Sequence, residues 1–398
     1  MKRFLSTQSR LCVLLLALIA ALLLLVQPLP ERYLSVDAST RSYKRGVVTA
    51  VTDAADQQRS PYSGRTLGTQ NVTVDLGGET VELSNSLSDT HYIRVRVGTR
   101  VIVCIDAPAN TAPYYSLFNY DRSGSILAVC LVFAALMLLV GGKRGFFSLA
   151  ALAFSLIFLL RFTVPAIYGG HSVLLVTIAT VFLLTLVSIG LISGIGRKSL
   201  TSAAVVLIGE TLSAGLFAVF SAILHISGFV DENVDSLLLI TQFSGLDLAH
   251  LLFAAAMIAS LGAVMDVAVS LVAAVFEIHD RNPSLRPRDL FRSGMNVGRD
   301  MMGTMSNTLI LAFAGSSLST MLVLFSYGVQ PLQILSSDFA AVEIAHGLCG
   351  TAAVILSVPL SAALSALALK SAWSAAKAPE REGTEAPLCP LPREESPR

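Results

Sequence analysis

Two hydropathy patterns divide the chain. After a basic start, Met1 to Arg10, an unbroken apolar run extends from Leu11 to Val26 and ends at Gln27, Pro28 and Pro30. Further apolar stretches lie near 125–141, 146–166, 172–195, 200–226, 247–278, 302–327 and 341–369. Each reads as a helix able to cross a hydrocarbon core of about 30 Å, which takes about 20 residues. With the first run they make eight. The run at 11–26 is a signal peptide or a first anchor. No small-x-small cleavage site follows it directly, which favours a retained anchor.

The other pattern is alternation, and it is confined to residues 30–123. "RGVVTAVTDA", "QNVTVDLGGETVEL" and "HYIRVRVGTRVIVCID" are rich in β-branched residues and punctuated by glycine, the signature of strands and hairpins. "DLGGET" fits a tight turn. A small β-sandwich or barrel is expected, with Arg94, Arg96 and Arg100 on one solvated strand face. The organisation that follows is an N-terminal membrane anchor at 1–29, an extracytoplasmic β-rich domain at 30–123, a seven-helix membrane bundle at 124–370 and a disordered cytoplasmic tail at 371–398. In fold class this is an α-helical polytopic membrane protein with a small β-rich domain.

Charge fixes the orientation. Lys143-Arg144, Arg197-Lys198, the stretch Arg281–Arg299, Lys370 and Lys377 are basic, whereas "GFVDENVDS" and "YGVQPLQILSSDF" carry no Lys or Arg. Alternation of this kind puts the basic loops and both termini in the cytoplasm. Of the 398 residues, 54% are hydrophobic and 14% charged, and mean hydropathy is +0.69. Soluble domains carry about 25% charged residues. A net charge of +1 gives no reason to expect nucleic acid. The five cysteines (Cys12, Cys104, Cys130, Cys349, Cys389) show no metal spacing, and only Cys104 falls in the large polar segment. Two segments fit poorly. Residues 247–278 would run about 48 Å as one helix, so the helix tilts, breaks near Gly262 or projects from the membrane. "DSLLLITQFSGLDL" (235–248) is apolar but too short to span, and reads as interfacial or re-entrant.

Ionisable groups at membrane depth are costly and face a bundle interior or a wet cavity. Asp266 lies midway along "AAAMIASLGAVMDVAVSLVAAVFEI". At helical spacing Ala259, Gly262, Asp266, Ser270, Ala273 and Glu277 share a stripe, and small residues there permit close helix approach. Asp266 is therefore expected to face protein, either as a structural hydrogen-bond partner or as a proton- or cation-binding carboxylate. Glu210 is expected on one face with Ser221 and His225. In "GMNVGRDMMGTMSNTLILAFAG", Asn296, Asp300, Thr304 and Asn307 recur every three or four residues, with Arg299 and Thr308 beside them. That face is expected to meet its neighbours across a wet or hydrogen-bonded seam, with Asn307 able to bond Asp266. Glu343 and His346, spaced i, i+3, share a helix face. One such pair is too few for a di-iron site. Pro359 is expected to kink this helix, while Ser357, Ser361 and Ser365 continue a polar stripe.

There is no Walker loop, HExxH or GxSxG, and the glycines of "GLISGIGRK" sit at a membrane edge without a strand. Enzymatic chemistry, metals and cofactors are not expected.

The segments "GAVMDVAVSLVAAVFEI" and "GMNVGRDMMGTMSNTLILAFAGSSL", in that order and separated by a long basic connection, resemble the YibE/F family of bacterial multi-pass membrane proteins. The resemblance extends more loosely over residues 40 to 370. It implies a bacterial plasma-membrane location and a single integral bundle with an extracytoplasmic domain, and it supplies no activity.

Two functions remain. A secondary transporter would use Asp266 as proton or cation site and Glu210 as partner, with Asn307, Thr308, Thr304, Asp300, Asn296 and Arg299 along the path and Ser270, Glu277, Glu343 and His346 as secondary groups. A small solute or ion is then the ligand and the lipid bilayer the surroundings. No internal repeat of the kind many transporters carry is visible. The alternative is a non-transporting scaffold, sensor or subunit of an envelope complex, reaching a membrane-protein partner through its β domain.

Overall fold

A computed structural model describes residues 2–26, 40–108, 111–228 and 234–377. The expected Pro28/Pro30 boundary, the acidic part of the 227–235 loop, Cys389 and residues 378–398 of the expected disordered tail lie outside the described residues. The chain divides into two compact units, one of residues 32–145 and one of residues 1–31 with 146–398.

In the first unit the strands are β1 (Arg41–Asp53), β2 (Gln58–Arg59), β3 (Thr66–Asp75), β4 (Thr80–Leu87), β5 (Arg100–Asp106) and β6 (Tyr114–Tyr120). All pairs are antiparallel. The long β1 serves two neighbours: Val47–Asp53 pairs with β3, and Arg41–Val47 pairs with β5. β4 lies on the far side of β3 and β6 on the far side of β5. A strand path of β4-β3-β1-β5-β6 is that of a partly open Greek-key barrel. Alternation does the packing: in β4 every second residue is buried. Val72, Val74, Leu83, Val101 and Val103 fill the centre.

The "DLGGET" turn closes β3 onto β4 because Gly77 and Gly78 adopt φ of 92° and 115°. The Asp75 carboxylate accepts both of their amides at 3.0 and 2.9 Å. The arginine row departs from expectation. Arg94 and Arg96 belong to no strand, and only Arg100 begins one. Ile93 and Val95 still enter the core, but two buried side-chain amides replace the missing ladder. Asn85 Nδ2 donates to the Ile93 carbonyl at 2.8 Å, and the Val95 amide donates to Gln70 Oε1 at 3.1 Å. Arg94 pairs with Asp53 at 2.8 Å.

The helices are α1 (Lys2–Val26), α2 (Ser123–Phe158), a π-turn at Leu159–Thr163 leading into α3 (Val164–Tyr168), α4 (Val173–Ser193), α5 (Arg197–Leu224) and α6 (Val234–Ser244). They continue as α7 (Leu248–Arg281), α8 (Pro287–Ser316), α9 (Leu318–Ser326), α10 (Pro331–Leu335) and α11 (Asp338–Lys377). Among the described residues five helices are long and apolar enough to cross a membrane, six if α8 and α9, bent by 53°, count as one span. α2 carries a non-helical residue, Gly142 (φ 52°, ψ −130°), where the expectation had two separate stretches. α7 is one uninterrupted helix with no break at Gly262. Its start is capped by Asp247, which accepts the amides of Ala249 and His250. α11 runs on through Pro359 to Lys377, beyond the expected end at 369–370.

The core of the second unit is built around α11, which packs on α5, α7 and α8. Contacts are close because glycines lie at the crossings. A methyl group at Gly294 would come within 2.9 Å of Val275, and one at Gly298 would meet Val358 and Leu271. Gly209 sits against Val264, and Gly350 against Leu309 and Ser260. α1 joins the same core through Ala17, Ala21 and Leu24, and Arg161 Nε donates to the Leu24 carbonyl at 3.2 Å.

Three outcomes test this description. Asn85→Leu strands the Ile93 carbonyl, a loss of about 1–3 kcal/mol. In the full-length protein, amide exchange over residues 91–97 should accelerate roughly 5- to 150-fold. Gly298→Leu overpacks the α7–α8–α11 contact by about 1–3 kcal/mol and should lower the melting temperature by roughly 3–10 °C. Gly215→Leu, with nothing within 4 Å, should leave it unchanged. Hydrogen bonds hold several barrel carboxylates below the ordinary carboxylate range: Asp75 by the Gly78 and Gly77 amides, Asp89 by the Ser63 and Ser60 hydroxyls, Asp56 by Thr69. Depressed folded values stabilise the barrel at pH above the unfolded value of about 3.9. Exchange protection in residues 41–120 should therefore persist at neutral pH and fall as pH drops below about 4.

Candidate functional site

Glu210 sits on α5 where the helix is packed on both flanks, and it is 2% exposed. The Ser260 hydroxyl on α7 lies 3.1 Å from Oε2 and 3.4 Å from Oε1, and 3.2 Å from the Met257 carbonyl. One hydroxyl proton cannot serve all three acceptors, so the serine donates either to the carboxylate or to its own backbone. Among the described residues no Lys or Arg lies in ion-pair contact with Glu210. Of the expected companions, Ser221 follows on the same face of α5 three turns on and His225 does not. His225 ends α5 as a left-handed cap (φ 54°) and is exposed, because the helix stops at Leu224.

Two turns further along α5, Phe217 stacks on His346 of α11 at 5.6 Å between ring centroids, and Phe313 of α8 lies 6.2 Å from the same ring. His346 Nε2 is 3.2 Å from the Leu252 carbonyl, a donor position for that nitrogen. Glu343 precedes it by one turn. Its Oε2 is enclosed and without a hydrogen-bond partner. It borders a cleft of ≈ 210 Å³ between α8, α9 and α11, whose other walls include Ile310, Phe313, Ala314, Met321 and Ile344.

These groups continue a line. On α11 the residues Glu343, His346, Gly350, Ser357, Ser361 and Ser365 follow one another at helical spacing on one stripe. Ser357, Ser361 and Ser365 are completely buried. Ser357 bonds back to the Val354 carbonyl at 2.7 Å, while the hydroxyls of Ser361 and Ser365 have no partner among the described residues. Gly350 brings the Ser260–Glu210 pair against this stripe, since a methyl there would lie 3.6 Å from Ser260 Cβ. At 1.5 Å per residue the stripe from Glu343 to Ser365 is about 33 Å long, close to the thickness of a hydrocarbon core. Val358 and Ala362, which flank the same stripe, carry the packing against Gly298 and Gly294 of α8.

The remaining candidates lie apart from this column. Ala259, Gly262, Asp266, Ser270 and Glu277 do share a stripe of α7, but the stripe is exposed, and among the described residues no hydrogen bond or ion pair engages Asp266. The expectation that Asp266 faces a neighbouring helix of its own chain is thus corrected. The contacts with α5, α8 and α11 are made by the opposite stripe, Ser260, Val264, Leu271 and Val275, whose larger side chains fill the grooves. Glu277 pairs with Arg281, at 3.2 Å.

The expected inward seam of α8 is also an outward face. Asn296, Arg299, Asp300, Thr304, Asn307 and Thr308 are all exposed, because Gly294 and Gly298 set the packed side. Thr304 and Thr308 bond to backbone carbonyls of α8, and no bond joins Asn307 to Asp266. Ser260 was the group missed. The one usable signal was its position as the hydroxyl residue on the apolar stripe that continues through Val264 and Leu271. Among the described residues no cluster of three or more His, Cys, Asp or Glu side chains could hold a metal.

No curated protein and no solved structure matches the chain. A family model does, that of the YibE/F-like protein, over residues 129–371. The matched stretch takes in α5, α7, α8 and the polar stripe of α11 and leaves the β barrel outside, a narrower span than the resemblance read from the sequence. Covering more than half of the 398 residues, it shows that the chain belongs to the YibE/F family.

Proposed function

We propose that the chain is a plasma-membrane permease that moves a proton or a small cation along the buried stripe of α11, with Glu210 as the central site. The observation that carries this reading is a carboxylate enclosed among helices with, among the described residues, a single serine hydroxyl as partner. Burying an ionised carboxylate without a counter-charge is costly. A proton or a monovalent cation must therefore accompany it, and intramembrane ionisable groups commonly mark such paths. Glu343 and His346 at one end of the stripe and the serines at the other extend the polar line on both sides of Glu210. Ser260 is a positioning residue, holding the carboxylate or releasing it as its proton switches between acceptors.

In this reading the chain crosses the membrane eight times: α1, α2 as two spans broken at Gly142, α4, α5, α7, the bent α8–α9 pair and α11. The positive-inside rule then puts the β barrel and the Glu343 end outside, and the Arg281–Arg292 stretch and both termini in the cytoplasm. α1 is a retained anchor, consistent with its packing on Gly190 through Val13.

A second reading, a non-transporting scaffold or subunit, draws support from the outward polar faces of α7 and α8, which suit partners better than lipid. Proteoliposomes separate the two. Under imposed pH or sodium gradients, wild-type protein should carry a flux that Glu210→Gln abolishes while the melting temperature holds. Ser260→Ala removes one hydrogen bond of about 1 kcal/mol and should shift the apparent affinity roughly fivefold. Undiminished flux in Glu210→Gln rejects the permease mechanism. No flux in the wild type, together with a lower melting temperature in the variant, favours the scaffold.

A further inference from the structure

α7 and the opening half of α8, as far as Thr308, each present an outward face that no part of the described chain covers, and neither is the face a lipid-exposed helix presents. On α4 the uncovered side chains are Leu175, Ile178, Phe182 and Leu186, all large and apolar. On α7 no large apolar side chain is exposed over its whole length. Its uncovered stripe is Ala255, Ala259, Gly262, Asp266 and Ser270. Small residues in such a row allow another helix to approach closely, and a methyl group at Gly262 would meet nothing within 4 Å. Asp266 lies about 27 Å from the Leu248 end and about 22 Å from the Arg281 end of this helix, which is mid-membrane if α7 spans. A carboxylate at that depth against acyl chains is strongly disfavoured.

α8 carries the complement. Val275 lies opposite Gly294 and Leu271 opposite Gly298, so α7 and α8 run antiparallel in a fixed register. Five residues further along each helix, Asp266 is level with Gly303. Thr304 is then at the same depth as Asp266, Asn307 is about 6 Å to one side and Arg299 about 6 Å to the other. Arg299 and Asn307 are exposed and engaged by no hydrogen bond or ion pair among the described residues. Gly303, like Gly262, has open space beyond its Cα. One face therefore offers a carboxylate and the other an amide, a hydroxyl and a guanidinium, with the exposed Asp300 next to that guanidinium in the chain, at nearly one depth and each bordered by glycine.

We infer that these faces are where a second copy of this chain docks, α8 of one copy lying on α7 of the other, so that Asp266 is met by Asn307, Thr304 and Arg299 of its neighbour. Identical copies supply both halves of the complement in equal number, which a lipid surface or an unrelated helix does not. Subunit contacts in homo-oligomers use such self-complementary surfaces. The inference rests on α7 and α8 spanning the membrane, not on transport through α11.

Cross-linking in native membranes tests it. Two differently tagged copies are co-expressed with the native cysteines replaced, one bearing Gly262→Cys and the other Asn307→Cys. Copper-phenanthroline oxidation should yield a disulfide-linked pair carrying both tags, whereas Leu175→Cys with Leu186→Cys should yield none. On the unaltered chain, native mass spectrometry from lipid nanodiscs should show two or more copies, and Asp266→Leu should shift it to one. A single copy in the unaltered chain overturns the inference. So does a folded pair of cysteine variants that fails to cross-link, that links to a different protein, or whose cysteines are labelled by a water-soluble maleimide. Loss of flux in Glu210→Gln with no self-association would leave the permease standing and remove only this interface.

Discussion

Close approach at α11 is the constraint on which the second unit depends. A helix that carries Glu343, His346 and three buried serines along one stripe needs that stripe enclosed by neighbours, since hydrocarbon cannot satisfy it. Enclosure requires α5, α7 and α8 to come near, and the glycines at 209, 294, 298 and 350 permit this by leaving out a side chain at each crossing. Neighbours share the stripe between them: Val358 and Ala362 on its flank interlock with the α8 glycines, while Gly350 seats it against Ser260 of α7 and Leu309 of α8, and His346 stacks on Phe217 of α5. Enlarging any one of those glycines would separate helices and open the polar stripe together, so stability and the composition of the stripe are coupled.

Much of the helical part was legible because hydropathy depends only on run length and composition. Facing was not. An amphipathic pattern shows which residues share a side of a helix, but not which side meets a neighbour. On α7 both sides are plausible contact surfaces: one is small and polar, the other a row of Val and Leu. The rule that polar groups in membranes point inward favoured the Asp266 side. Packing took the other, because Val264, Leu271 and Val275 complement the glycines of α5 and α8 in shape, and Ser260 is carried inward with them. That complementarity involves three helices at once, and a single helical periodicity does not contain it. On α11, by contrast, the polar stripe was read correctly, since Ser357, Ser361 and Ser365 have the same spacing in sequence as in the buried column.

The barrel gives the same lesson for strands. The alternation of Ile93, Val95 and their neighbours correctly marks which side chains point inward, yet the segment forms no ladder. Two inward amides, Gln70 and Asn85, take the backbone groups a partner strand would have taken. Alternation puts Gln70 in phase with Val72 and Val74, and Asn85 in phase with Val81, Leu83 and Leu87, so both fall on the inward side. What alternation does not contain is the partner: that these amides take the backbone groups of residues 93 and 95 is defined by what lies across the core.

The polar groups of the bundle thus fall into two sets that differ in what encloses them. The inner set, along α11 with Glu210 and Ser260, is closed by this chain alone. The outer set, Asp266 with the polar face of α8, is unfinished by it. The polar opening half of α8 follows from this arrangement: its packed side needs only glycines to seat on α7 and α11, so its remaining circumference is free to be polar, provided something other than lipid lies against it. Charge moving along the inner set would pass within a single chain, while the outer set would hold chains together at the same depth. A substitution on the exposed stripe of α7 can then alter association without touching Glu210, and one at Glu210 can alter the inner column without loosening the contact between copies. The two sets are physically separable because they occupy opposite sides of α7, with Val264, Val267, Ala268 and Leu271 filling the space between them.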